Sequence, residues 1–153
     1  MVSNSPFSSA GRETPILDAV SYRVELLTDA RPTPAGIAHR CGSRSLVLEW
    51  SRVEYVIAAE VGEPQGVRTI VFDLVLESGD EGWVVCRFDA DPSEDAMEVA
   101  RAIAGALPAD RVGGSIKSMV SDGVASRWYP DLESFEEANR RAIPDLAGMV
   151  RGR

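Results

Sequence analysis

Between Leu46 and Asp89 apolar and polar residues alternate, the period at which successive side chains of a strand point to opposite faces. Leu46, Leu48 and Trp50 share one face. Val53, Tyr55, Ile57, Ala59 and Val61 share the next, with Glu54 and Glu60 opposite. Past the turn residues Gly62 to Gly66, Ile70, Phe72, Leu74 and Leu76 alternate with Val71, Asp73, Val75 and Glu77. A second turn, Ser78 to Gly82, leads to Trp83–Phe88, where Val84, Cys86 and Phe88 point together. Consecutive strands joined by tight turns predict an antiparallel meander.

The flanks are less regular. Residues 1–15, rich in serine and ending in a proline, read as a disordered leader with neither the basic start nor the apolar core of a secretory signal. Ile16–Val20 is a short apolar patch, and the alternation of Tyr22–Leu26 predicts an early strand. Two prolines and a glycine predict a loop over Thr28–Gly36, followed by a short strand at Ile37–Cys41.

After the meander the spacing predicts a helix over 92–107. Asp91 caps it, Pro92 takes its first position, and Glu94 and Asp95 complement the positive end of its dipole. Ala96, Ala100, Ile103, Ala104 and Leu107 form its apolar stripe, and Pro108 stops it. Gly113-Gly114 is a joint, and Asp122-Gly123 predicts a hairpin within 116–128. A second helix starts at Pro130-Asp131, with Leu132, Phe135, Asn139, Ala142, Ile143 and Leu146 on one side and Pro144 kinking or ending it. Val56, Ala58, Val71, Val75, Trp83 and Val85 make the outward face of the meander apolar. That face therefore requires cover, either from the helix over 131–143 or from another subunit of a homo-oligomer.

A length of 153 residues, 44% hydrophobic and 26% charged, suits one domain with a real core. The division expected is a leader over 1–15, a main domain over 16–110 and a C-terminal extension over 111–153 that packs on it. No apolar run is long enough to cross a bilayer. The net charge is −8, and it is concentrated: residues 49–98 carry three arginines against thirteen acids. Such a surface repels nucleic acid and anionic lipid and suits a basic peptide or protein face. Cys41 and Cys86 stand far apart without a C-x-x-C motif, which points to a reducing compartment and to the cytoplasm.

The stretch LVLEWSRVEYVIAAEV, then RTIVFDLVLES, then WVVCRFDADPSEDAMEVARAIAGAL resembles the end portion of a pleckstrin-homology-like (PH/GRAM-like) domain, with Trp50, Val53, Phe72, Phe88 and Ile103 at matching positions. The resemblance covers residues 35–108, or 20–108 with the early strand. It implies an α+β fold, an antiparallel barrel or strongly bent sheet closed by the helix over 92–107, with a helical C-terminal extension. Residues 92–107 lack the tryptophan often found in the family's C-terminal helix. The arginines Arg23, Arg31, Arg40 and Arg44 are scattered rather than clustered as in phosphoinositide-binding members. Binding to protein rather than lipid is what the resemblance implies.

The remaining chemistry is sparse. Four carboxylates within Asp89–Asp95 have the oxygen density of a hard-cation site, but the segment lacks the glycine and terminal glutamate of a calcium loop and reads first as a helix start. His39 and Cys41 share a strand face without an orienting third group. No phosphate-binding glycine loop, nucleophile elbow or zinc spacing occurs. The expectation is a non-catalytic interaction or adaptor module that needs no cofactor or metal and recognises a protein or peptide segment. Trp83, Trp128 and Tyr129 are its candidates for buried contact, and Glu54, Glu60 and Asp73 for electrostatic steering. The alternative is a sensor domain that binds a small molecule or a divalent metal.

Overall fold

The computed structural model describes residues 22–77 and 82–151. The leader, the patch at Ile16–Val20 and most of the turn at Ser78–Gly82 lie outside the described residues. Strands β1 (Tyr22–Leu26), β2 (Thr28–Thr33), β3 (Gly36–Cys41), β4 (Arg44–Glu49), β5 (Val53–Gly62), β6 (Arg68–Glu77) and β7 (Trp83–Ala90) precede three helices. These are α1 (Glu94–Ala106), α2 (Gly114–Asp122) and α3 (Leu132–Arg151), with the two-residue strand β8 (Trp128–Tyr129) between the last two. No helix among the described residues is long and apolar enough to cross a membrane.

The fold is α+β with two sheets, and the sheets are not closed into a barrel. β2-β3-β4 form a three-stranded antiparallel sheet, and β1-β7-β6-β5-β8 form the larger one. Within the larger sheet β5, β6 and β7 are the expected antiparallel meander. β1 adds in parallel beside β7, and β8 adds in parallel beside β5. The chain leaves β1 for the small sheet at Leu27, whose N–H still bonds the Arg87 carbonyl at 2.8 Å.

The main core lies on the face of the large sheet carrying Val56, Ala58, Ile70, Phe72, Leu74, Leu76, Val84, Cys86 and Phe88. Ala96, Val99, Ala100 and Ile103 of α1 seal it, joined by Ile37 and Leu48 of the small sheet and Ile116 and Met119 of α2. Phe72 and Phe88 stack across the β6–β7 pair with ring centroids 5.2 Å apart. Each such side chain withdrawn from water contributes about 1.5–3 kcal/mol. On the opposite face Ala59, Val61, Val71 and Phe135 form one cluster and Val75, Trp83 and Val85 another. Phe135 and Asn139 of α3 are buried there, so this chain covers the apolar outer face itself.

Several expectations need correction. A bulge between Val53 and Tyr55 flips the register, so Val53 joins Val56 and Ala58 in the main core while Tyr55 and Ile57 face α3. Thr28–Thr33 is a strand rather than a loop: β2 is an edge, so Pro32 costs no ladder bond, and Asp29 takes up a positive φ of 53° at the irregularity between Thr28 and Arg31. Gly36 follows because a Cβ there would lie 2.0 Å from the Leu48 carbonyl oxygen. α1 starts at Glu94 behind a Ser93 cap, whose Oγ accepts from the Asp95 N–H. The helix α3 does not end at Pro144 but runs on to Arg151.

The hairpin expected around Asp122-Gly123 is absent: α2 occupies that stretch, and Gly123 is its left-handed C-cap, at φ 80° with its N–H bonded to the Met119 carbonyl. Gly123→Ala is expected to lower stability by about 1 kcal/mol, the cost of a left-handed residue with a Cβ. Asp122→Ala is expected to change it little. Urea denaturation of the two variants checks this.

Candidate functional site

Strand alternation alone would place Asp73 and Arg87 on the outer face of β6 and β7, and the register sets them directly opposite each other. Opposite charges at such cross-strand positions attract. The pair is bidentate, Arg87 Nε to Asp73 Oδ1 at 2.7 Å and Nη2 to Oδ2 at 2.9 Å. α3 closes over it: Asn139 Nδ2 donates to Asp73 Oδ2 at 2.7 Å, and Arg87 Nη1 donates to Glu136 at 2.6 Å. The guanidinium also stands 5.5 Å from the Phe135 ring centroid. Burial pushes the Asp73 carboxyl above the ordinary aspartate range, against the opposing pull of Arg87 and Asn139. Desolvation works against the Arg87 charge, yet its bonds and attraction to Asp73 and Glu136 outweigh it and raise the pKa further. This cluster fixes where α3 lies on the sheet.

With α3 so placed, its N-terminal end and the β5–β6 turn enclose a groove of about 450 Å³. Val61 and Val71 form its floor, and Pro64 and Leu132 stand at its sides. Glu63, Asp89, Asp131 and Glu133 also line it, and among the described residues no lysine or arginine does. Asp131 is partly engaged as the helix cap, its Oδ1 accepting from the Ser134 N–H at 2.8 Å, and these hydrogen bonds lower its pKa. Gly62 lets the chain pass here, because a Cβ would lie 2.6 Å from the Pro130 carbonyl oxygen.

The predicted contact residues are dispersed. Trp83 is 2% exposed and packs with Val75 and Val85, so it offers no surface for a partner. Asp73 is equally interior and engaged by Arg87 and Asn139, so it steers nothing from outside. Both were expected as partner contacts; α3 covers Asp73 through Asn139, and Trp83 is withdrawn into its cluster with Val75 and Val85. Trp128 and Tyr129 pair with Glu60 and Val61 on β5 and point to opposite sides of the sheet. Trp128 is 51% exposed and lies under the Arg68 guanidinium at 5.4 Å, and that guanidinium also bonds Glu60 at 2.9 Å. Tyr129 is half-buried, edge-on to Phe135 at 5.6 Å. Glu54 is half-buried at the β5 bulge.

The groove residues Val61, Val71, Glu63, Leu132 and Glu133 were not among the expected contact residues. The acid-rich middle third was the available signal, and Glu63 and Asp89 connect it to the groove. The carboxylates of Asp91–Asp95 sit at the start of α1, and among the described residues no group of three or more His, Cys, Asp and Glu side chains converges for a metal ion. His39 and Cys41 lie on β3, half-buried and exposed respectively.

Replacing Arg87 by Met leaves Asp73 buried without its countercharge and is expected to cost about 3–5 kcal/mol. The double variant Asp73→Leu/Arg87→Met is expected to recover the greater part, and denaturant titration of both measures it. Cys41 is exposed, whereas burial pushes the Cys86 thiol up to about 11. A disulfide-exchange reagent at neutral pH is therefore expected to titrate one thiol quickly in the native protein and the second only after unfolding.

No family model, curated protein or solved structure matches the chain, so the geometry of its own surface carries the functional reading.

Proposed function

We propose that this chain is a non-catalytic interaction module of pleckstrin-like build, which docks a basic, apolar segment of a protein partner in the groove between the β5–β6 turn and α3. The observation that carries this reading is the lining of that groove: an apolar floor ringed by four carboxylates, with no cation among its described lining residues. A segment carrying lysine or arginine beside apolar residues matches both features, burying its apolar side chains on Val61 and Val71 while its charges meet the rim. The volume of about 450 Å³ holds a few side chains rather than a whole helix.

The build supports the same reading. The antiparallel β5-β6-β7 followed by a helix packed on their inner face is the strand and helix order the pleckstrin-like resemblance implies. The β5 edge, where an extended peptide could otherwise add as a strand, already carries β8 and the Val56–Val112 bridge. Side-chain docking in the groove is thereby favoured over strand addition at that edge. Two thiols without a disulfide are consistent with work in a reducing compartment, and we place it in the cytoplasm.

Fluorescence anisotropy with a labelled peptide of alternating lysine and leucine tests the reading against its glutamate–leucine counterpart. The lysine peptide is expected to bind and to weaken as salt is raised, because the rim charges are exposed. Glu63→Lys/Glu133→Lys is expected to weaken it about tenfold or more while leaving the far-ultraviolet spectrum unchanged. Equal binding of the two peptides, or undiminished affinity in the charge-reversed variant, overturns the proposal.

A further inference from the structure

A second cavity, of about 190 Å³, lies between β5, the start of α2 and the inner side of α3. Its apolar walls include Tyr55, Ile57, Phe135 and Ala138. Its polar lining includes Gly114, Ser115, Arg127 and Asn139. Asn139 is 5% exposed and commits its amide N–H to Asp73; its Oδ1 has no partner among the described residues. A buried carbonyl acceptor left without a donor costs about 1–3 kcal/mol. The backbone N–H groups of Gly114 and Ser115, in the opening turn of α2, likewise have no partner among the described residues, nor does the Arg127 guanidinium. Ser115 is 2% exposed, and its Oγ accepts from the Arg127 N–H at 2.8 Å, which fixes the Arg127 backbone against the start of α2.

We propose that this cavity binds a small monocarboxylate with a one-ring or short aliphatic body and a hydroxyl or amino donor at its far end. The carboxylate meets the Gly114 and Ser115 N–H groups and the Arg127 guanidinium, where helix dipole and side-chain charge favour an anion. The opposite end meets Asn139 Oδ1, beside the Asp73 carboxylate, where only a hydrogen-bond donor is tolerated. The body lies on Ile57 and Phe135. The volume is below that of a drug-sized pocket and excludes nucleotides and larger acids. This site stands independently of the docking groove and shares no lining residue with it.

Gly114 supplies a clean probe. Gly114 is exposed at the cavity and a Cβ built on it meets no atom within 4 Å, so Gly114→Leu is expected to fold and to crowd the cavity mouth. The full chain is titrated with millimolar 4-hydroxyphenylacetate and, separately, with the uncharged 4-hydroxyphenethyl alcohol, following Tm and the Gly114 and Ser115 amide resonances. The acid is expected to raise Tm and shift both resonances, the alcohol to do neither. Arg127→Gln is expected to weaken binding about tenfold, and Gly114→Leu to fold normally and lose the response. No response to the acid, an equal response to the alcohol, or an unchanged response in a folded Gly114→Leu variant overturns the proposal and leaves water as the occupant.

Discussion

Strands β6 and β7 are buried on both faces, and the rest of the molecule is arranged by the need to cover them. Phe72, Leu74, Cys86 and Phe88 face α1 and the small sheet; Val71, Asp73, Val75, Val85 and Arg87 face the other way and are equally withdrawn from water. A two-sided strand pair cannot stand as the solvated wall of a meander, since its outer face alone would expose a contiguous apolar patch. α3 is therefore a structural requirement and not an appendage. Its position in turn creates both recesses described above, the groove at its N-terminal end and the cavity under its inner side.

The buried Asp73–Arg87 pair gives that cover a unique seat. Apolar contact alone would allow α3 to slide along the sheet, because Val61, Val71 and Val75 present similar surfaces. A bidentate ion pair that accepts Asn139 and donates to Glu136 is satisfied at one register only. Buried pairs of this kind add little net stability over an apolar replacement, so the contribution here is to specificity of placement. The surrounding Phe135 and Ala138 then supply the favourable burial while the polar cluster chooses where it occurs.

Much of the fold was legible. Period-two alternation and turn glycines gave β5, β6 and β7, and the alanine-rich stripe gave α1, because each signal is local to the element it specifies. The parallel additions of β1 and β8 were not legible, since parallel neighbours are joined by no tight turn that marks them in the chain. Asp122-Gly123 misled for a physical reason: a hairpin turn and a helix C-cap both demand a positive φ, and glycine supplies it in either. Pro32 misled because a proline excludes a central strand but not an edge one. Asp73 was read as a steering charge from its polarity alone. Arg87, at the same parity on the next strand, was the sign that its charge is answered internally.

The acidic excess acquires a different meaning once these assignments are made. Asp73 is neutralised within the sheet, Glu60 is answered by Arg68, and Glu94 by Arg101, so the raw charge of the middle third overstates what a partner would meet there. At the groove the four carboxylates come from four separate places, the β5–β6 turn, the end of β7, the α3 cap and its first turn, and among the described residues no cation lines it. Two of the four belong to the C-terminal third, which is nearly balanced in sequence. The acidic lining of the groove is thus a product of tertiary assembly rather than of the acidic segment as such. Field lines concentrate where low-dielectric walls such as Val61, Val71 and Leu132 adjoin charges of one sign. For that reason the groove, rather than the longer acidic string before α1, is the place on this molecule where a cationic apolar segment gains most from binding.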